Sequence, residues 1–139
     1  MGAEYLNIDL EIRAQFDLTP LREAFGEHVA IMYCGECAPG QYLLALESEY
    51  LGDNTETSPD LTANTLCQLV ENLTPSARKA WDEADDRIFD VGYDAVADPR
   101  CSQPLLSART LQRISALNAR LAISVYTHGF QSAAEQSLS

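Results

Sequence analysis

The stretch from Arg87 to Tyr126 reads RIFDVGYDAVADPRCSQPLLSARTLQRISALNARLAISVY, and its hydrophobic period changes from 2 to 3.6 and back to 2. This change predicts a strand, a long loop, a helix and a second strand. Ser107 stands where a helix N-cap is expected. The apolar residues that carry the pattern are Phe89, Val91 and Tyr93, then Leu111, Ile114 and Leu117, then Leu121, Ile123 and Val125.

The same alternation recurs in the first part of the chain. From Tyr5 to Arg13, apolar and polar residues alternate, which predicts a strand with one buried face and one face in water. Thr19 and Pro20 predict the N-cap and first residue of a short helix that ends at Gly26. The apolar face of the strand holds Leu6, Ile8, Leu10 and Ile12, and its polar face holds Asn7, Asp9, Glu11 and Arg13.

The central part of the chain predicts two more strands and two helices. The predicted strands are residues 29–34 and 41–50, and Ala-Pro-Gly is the predicted turn between them. Ser58-Pro59 and Thr74-Pro75 each begin a helix. Trp81 lies on the apolar stripe of the second helix, which predicts a core position.

Two segments share a strand-helix-strand pattern, residues 5–33 and residues 87–126. Each predicts a β-α-β unit of the split, ferredoxin-like kind. The predicted fold is therefore an α+β open-faced sandwich, with an approximately five-stranded, mainly antiparallel sheet and all helices on one face. Residues 1–128 are expected to form one domain, and residues 129–139 a polar tail.

The amino-acid composition argues against two classes of protein, disordered chains and membrane-spanning proteins. Of 139 residues, 46% are apolar, which argues against intrinsic disorder. No apolar run approaches the ~18 residues of a membrane span. The segment MGAEYLNIDLE lacks the basic and apolar regions of a signal peptide, so a cytoplasmic location is expected.

Acidic residues are concentrated in the first sixty positions. The chain carries 21 acidic and 9 basic residues, a formal charge of −12, and residues 1–60 alone account for −10 of it. Nucleic acid and anionic membranes need clustered cations on the protein, so neither is an expected partner. A partner with a basic surface would be attracted and oriented by this field. Acidity that serves only solubility is an equally open reading.

Four cysteines raise the question of a metal or redox site. Cys34 and Cys37 have Cys-x-x-Cys spacing, and Cys67 and Cys101 would complete a set of four thiolates for zinc. The second pair has no such spacing, and the first does not lead into a helix N-terminus. Free cysteines in a reducing compartment are the favoured interpretation, with no cofactor and no metal expected.

The segment from Asp90 to Asp98 is a candidate functional surface. Asp90 and Asp94 share a strand face by spacing, and Asp98 follows in a long loop of the kind that often carries binding contacts. These carboxylates lack the spacing of a calcium loop. No nucleophile elbow, phosphate loop or dinucleotide motif occurs, and His28 and His128 lie in no zinc-protease motif, so the chain is expected not to be an enzyme.

Four segments resemble a family of small, acidic, uncharacterised bacterial proteins. The resemblance covers about residues 4–126, and Cys34 and Cys37 depart from the family pattern. More loosely, the chain is similar to polymorphic-toxin immunity proteins, which is an analogy of fold. The segments that carry the resemblance are YLNIDLEI, PSARKAWD, FDVGYD and LSARTLQRISALNARLAISVY.

These observations favour a non-enzymatic module that binds a basic protein, as an immunity protein or antitoxin neutralises a toxin. A homodimer through the exposed sheet face is an alternative. A small enzyme or metal-dependent sensor that uses Asp90, Asp94 and Asp98 or the cysteines is another. The residues expected to contact the partner are Asp9, Glu11, Glu47, Glu49, Asp94 and Asp98.

Overall fold

The computed structural model describes residues 3–48, 58–95 and 105–126, with the side chains of residues 3–6 and 94–95 left out. Glu49, Asp98, Cys101, His128 and the expected tail lie outside the described residues. The helices and strands follow in chain order: β1 Ala3–Ala14, α1 Thr19–Phe25, β2 Val29–Ala38, β3 Gln41–Ser48, α2 Pro59–Glu71, α3 Pro75–Glu83, β4 Asp86–Ala95, α4 Ala108–Ala116 and β5 Arg120–Tyr126.

The five strands form one sheet in the order β2-β3-β1-β4-β5. Neighbouring strands are antiparallel except β4 and β5, which run parallel. The prediction of an α+β sandwich with a mainly antiparallel, five-stranded sheet is therefore confirmed. Among the helices that the structure describes, none has the length and apolar character needed to cross a bilayer.

Two split β-α-β units interleave in the sheet. β1 and β2 are connected through α1 with β3 between them, as predicted. The second split unit runs from β3 through α2 and α3 to β4, with β1 between its strands. The prediction that residues 87–126 form a split unit is wrong, because β4 and β5 are direct neighbours. β1 is consequently the central strand.

The core lies between the helices and one face of the sheet. The alternation in β1 has the predicted effect, since Ile8, Leu10 and Ile12 are buried. Opposite them, α2 contributes Leu66 and Val70. We call the sheet face that carries Asn7, Asp9 and Glu11 the open face; these three side chains are half-buried.

Three local predictions need correction. The N-cap of α1 is Leu18, because the Asp17 carboxylate accepts hydrogen bonds from the Thr19 backbone N–H at 2.9 Å and from its hydroxyl at 2.7 Å. β2 extends to Ala38, so Cys37 belongs to a strand. On α4 it is Thr110, and not Leu111, that is buried with Ile114 and Leu117.

The helix ends otherwise follow the sequence. Ser58, Thr74 and Ser107 each accept a hydrogen bond from a backbone N–H in the first turn of α2, α3 and α4. Gly26 ends α1 with a φ of +76°, a conformation that favours glycine.

Trp81 joins α3 to the end of α4. Its indole is fully buried, and Nε1–H donates to the Leu117 carbonyl at 3.0 Å. The guanidinium of Arg87 donates to the carbonyls of Trp81, Ala84 and Asn118 at 2.8–3.0 Å. These bonds satisfy backbone carbonyls at the ends of two helices.

Trp81→Ala should lower the free energy of unfolding by about 3–5 kcal/mol, because it opens a large cavity and removes the donor to Leu117. Trp81→Phe keeps most of the ring volume, and a loss of about 1–2 kcal/mol is expected from the unpaired carbonyl. Denaturant titration measures both changes. The parent indole should emit at short wavelength and resist iodide quenching; a freely quenched indole would contradict its buried position.

Candidate functional site

Strand register brings three carboxylates side by side on the open face. Asp9 in central β1 pairs with Glu47 of β3 on one side and with Asp90 of β4 on the other. Directly opposite side chains in an antiparallel pair lie about 4.5–5.5 Å apart at Cβ. We call Glu47, Asp9 and Asp90 the acidic row; all three residues are half-buried.

Neutral donors hold the row in place. Asn7 donates from Nδ2 to Asp9 Oδ1 at 3.1 Å and to Glu47 Oε2 at 3.0 Å. On the other side, the Ser124 hydroxyl of β5 donates to Asp90 Oδ1 at 2.7 Å. These bonds fix the carboxylate positions without compensating their charge.

The central carboxylate is hard to ionise. Burial, followed by the negative charges of Glu47, Asp90 and Glu11 and by a hydrogen bond with Glu47, raises the pKa of Asp9 to about 6. Desolvation and like charges both disfavour the carboxylate form. Among the described residues, no cationic side chain forms an ion pair with any member of the acidic row.

Other carboxylates of the described chain have partners of their own. Glu71 of α2 binds Arg113 of α4 through two hydrogen bonds, at 3.1 and 2.6 Å, and this bonding lowers the pKa of Glu71. Asp86 likewise binds Arg120, with Nε at 3.0 Å from Oδ1, which lowers the pKa of Asp86. The acidic row differs from these pairs because its cation is missing within the described chain.

Asp60 of α2 plays a structural part. Its carboxylate accepts hydrogen bonds from the Thr110 hydroxyl at 2.6 Å and the Ser107 backbone N–H at 2.8 Å, which lowers the pKa of Asp60. Although Asp60 belongs to the acidic first sixty residues, it ties α2 to the start of α4.

Gly92 makes room for the Asn7 side chain. A Cβ at Gly92 would lie 2.8 Å from Asn7 Oδ1 and 3.4 Å from Tyr126 Cε2. The absence of a side chain at Gly92 thus allows the close approach of Asn7. A register shift between Tyr5 and Asn7 in β1 accompanies it.

The structure brings together only some of the predicted contact residues. Asp9 and Glu47 lie in the row. Glu11 lies one pair further along β1, opposite Ala45 and Ile88, and its carboxylate is 3.8 Å from the Arg13 guanidinium.

Three predicted contact residues are not placed in the site. In β4, Asp94 pairs with Glu4 and Tyr126, and its side chain is not described. Glu49 and Asp98 lie outside the described residues.

Sequence reasoning missed Asn7 and Ser124 as parts of the site. It placed Asp90 in a candidate functional surface and in the metal or enzyme alternative, but not among the expected partner contacts. The available signal was that Asn7 and Asp9 share the polar face of a strand. The pairing of β1 with β4 and of β4 with β5 is not readable from that alternation.

The three cysteines that the structure describes lie in two separate places. Cys34 packs against the core from β2 and Cys37 is exposed, while Cys67 is buried in α2. Burial raises the pKa of the Cys67 thiol to about 11, which opposes thiolate chemistry there. Within residues 3–48, 58–95 and 105–126, no three His, Cys, Asp or Glu side chains are grouped as metal ligands.

Two cavities on the described surface lie away from the acidic row. One, of about 320 Å³, is lined by residues that include Arg13, Cys37 and Asp86. The other, of about 380 Å³, is lined by residues that include Arg22 and Val29. Neither cavity includes a member of the acidic row.

Comparisons of this chain with known proteins found no match. No protein-family model, no curated protein and no solved structure matches this chain.

Asp9→Asn should stabilise the protein by about 1–2 kcal/mol at pH 7.5. The full pKa shift corresponds to roughly 3 kcal/mol, and the expected gain is smaller because the site is partly solvated. The pKa of Asp9 is raised in the folded state from 3.8 to about 6. Its ionisation therefore destabilises the fold above pH 6, and this cost disappears as the pH falls towards 4.

Urea denaturation of the parent and of Asp9→Asn at pH 4, 5, 6 and 7.5 measures the difference. Glu23→Gln on α1, an exposed carboxylate, is the matched control and should show no comparable trend. An equal difference between parent and Asp9→Asn at all four pH values would contradict the raised pKa.

Gly92→Ala should displace the Asn7 side chain and break its two bonds to the acidic row, at a cost of about 1–2 kcal/mol in stability. In an Asn7→Ala background the same change should cost much less, since the blocked side chain is already gone. The double-mutant cycle measures this coupling. Gly35→Ala is the control, because a Cβ there meets only Tyr33, at 3.5 Å. If the stability losses of Gly92→Ala and Asn7→Ala are additive, the effect of Gly92→Ala does not act through the Asn7 side chain.

Proposed function

We propose that this protein is a non-enzymatic binding module that captures a basic protein through the acidic row, in the manner of an immunity protein or antitoxin. The observation that carries the proposal is a set of three adjacent, half-buried carboxylates without a cation from the described chain. A lysine or arginine from a partner would supply the missing charge.

Energetics support a role for the row in binding. Like charges directly opposite each other destabilise a sheet, and here one carboxylate faces two others. Apolar or mixed pairs at these positions would stabilise the fold better. A cost of this kind is common where function requires it.

The carboxylates of the acidic row are also preorganised for binding a cation. Asn7 and Ser124 hold the carboxylate oxygens by hydrogen bonds, so binding would order few side chains. A guanidinium, with its fork of donors, suits two neighbouring carboxylates. The acidic residues elsewhere in the first sixty positions would steer such a partner, consistent with a cytoplasmic binding protein.

A small enzyme is the second candidate. A carboxyl group with a pKa of about 6 lies in the range of general acid-base catalysts, and Asp9 has a carboxylate neighbour in Glu47. Against this candidate, the row lies on the open face of a sheet, whereas substrates usually bind in concave sites. Binding is therefore the preferred function.

The test is capture from the native host followed by kinetics. Immobilised parent protein should retain a basic protein at low salt, and its association rate should fall at least tenfold between about 50 and 500 mM salt. Asp9→Asn with Glu47→Gln should slow association and speed dissociation of the same partner, because a desolvated pairing is lost.

Glu23→Gln with Glu27→Gln removes the same charge from exposed positions on α1 and the turn after it, and should change binding little. Binding should also weaken from pH 7 to pH 5, since protonation of Asp9 competes with the partner's cation. An acidic partner, salt-independent association, or equal losses in the two double variants would refute the proposal.

A further inference from the structure

β5 forms one edge of the sheet, and its side towards the helices is apolar. Its neighbour on one side is β4, and no other strand of the described chain pairs with it. Register with Phe89, Val91 and Tyr93 places Leu121, Ile123 and Val125 on the helix side. Their exposed fractions are 39%, 61% and 56%, in contrast with the fully buried Phe89.

This edge lacks the features that normally keep a sheet edge from pairing. From Leu121 to Tyr126 the strand has no charged residue, proline or glycine, and its register with β4 is unbroken. The opposite edge, β2, contains Gly35 and Glu36, and its register with β3 shifts twice. Charges and bulges are the usual protection of edge strands. β5 is therefore the edge suited to accept a strand.

α4, the helix that leads into β5, carries one further exposed apolar side chain. Arg113 contacts Glu71 and so marks the side of α4 that faces α2. Leu111 lies on the other side of the buried stripe of Thr110 and Ile114, and it is 42% exposed.

Charge does not oppose the approach of a second copy here. Residues 105–126 contain three arginines and no acidic residue, although the chain as a whole carries −12. Arg113 and Arg120 are paired with Glu71 and Asp86. The edge is consequently close to neutral, whereas β1, β2 and β3 carry the acidic residues Asp9, Glu11, Glu36 and Glu47.

We propose that a second copy of this chain pairs antiparallel with β5 about a two-fold axis through Ile123. In this register Ile123 faces its own copy, and Leu121 faces Val125, on the helix side of the sheet. On the open face, Arg120 lies opposite Tyr126 of the other copy, and Ala122 lies opposite Ser124. No cross-strand pair therefore brings two like charges together, which suits an isologous interface.

The dimer would join two five-stranded sheets into one, with both sets of helices on the same side. The two acidic rows would then share one continuous open face. A partner with two basic segments, or a dimeric partner, could contact both rows and gain avidity. The dimer itself does not depend on the proposed function.

Sedimentation of the parent protein from 1 to 200 µM should show a monomer–dimer equilibrium. Ile123→Lys should weaken dimerisation at least 100-fold, because it places two charges at the axis. Met32→Lys is the matched control: Met32 is 55% exposed, but on β2 at the opposite edge, and its dimer should match the parent. Circular dichroism checks that both variants fold.

A disulfide tests the register. Residues at the two-fold axis of an antiparallel pair have Cα atoms about 4.5–5.5 Å apart, within reach of a disulfide. Ile123→Cys should therefore give a covalent dimer under mild oxidation, well above the amount formed by the parent and by Met32→Cys.

If the parent protein stays monomeric at 200 µM, the proposal is wrong. Residues 127–139 or a different protein would then be the candidates that pair with β5. A dimer that survives Ile123→Lys, or that Met32→Lys disrupts equally, would overturn it as well. A dimer lost in Ile123→Lys without a cross-link at Ile123→Cys would refute the proposed axis.

Discussion

The position of β1 between β3 and β4 is the constraint on which the rest of this structure depends. Because both neighbours run antiparallel to it, the open-face residues Asp9, Glu11 and Arg13 of β1 each face one residue of β3 and one residue of β4. Burial of Ile8, Leu10 and Ile12 under the helices fixes which face Asp9 occupies, since a slip of one residue would invert the strand. Hydrophobic burial thereby determines where the carboxylates meet.

The two faces of the sheet differ in how their side chains are accommodated. On the helix side, Trp81 and Phe89 are fully buried, and side chains cap the N-termini of α2, α3 and α4. On the open side, Asp9 remains next to Glu47 and Asp90 at an energetic cost that shows in its raised pKa. The ion pairs of Arg113 and Arg120 show that this chain elsewhere places cations beside its carboxylates.

The two edge strands of the sheet differ in regularity and charge. The irregular β2 edge carries bulges and Glu36, whereas β5 continues the regular register of β4 and is uncharged from Leu121 to Tyr126. β5 follows β4 through a direct parallel crossover and lies outside the two interleaved split units. Its place at the end of the sheet leaves apolar residues exposed that a central strand would bury.

The sequence by itself determined the existence of the strands, the starts of α2, α3 and α4, and the fold class, because period-2 and period-3.6 patterns and N-capping serine or threonine residues are local signals. It also pointed to Asp9 and Glu47 as surface acids. Only the tertiary structure decided that Asp90 joins them, that Asn7 lies over Gly92, and that Glu11 pairs with Arg13 instead. Strand order and register depend on contacts between residues far apart in the chain, such as Asp9 with Glu47 and with Asp90. An alternation pattern carries no information about which strands become neighbours.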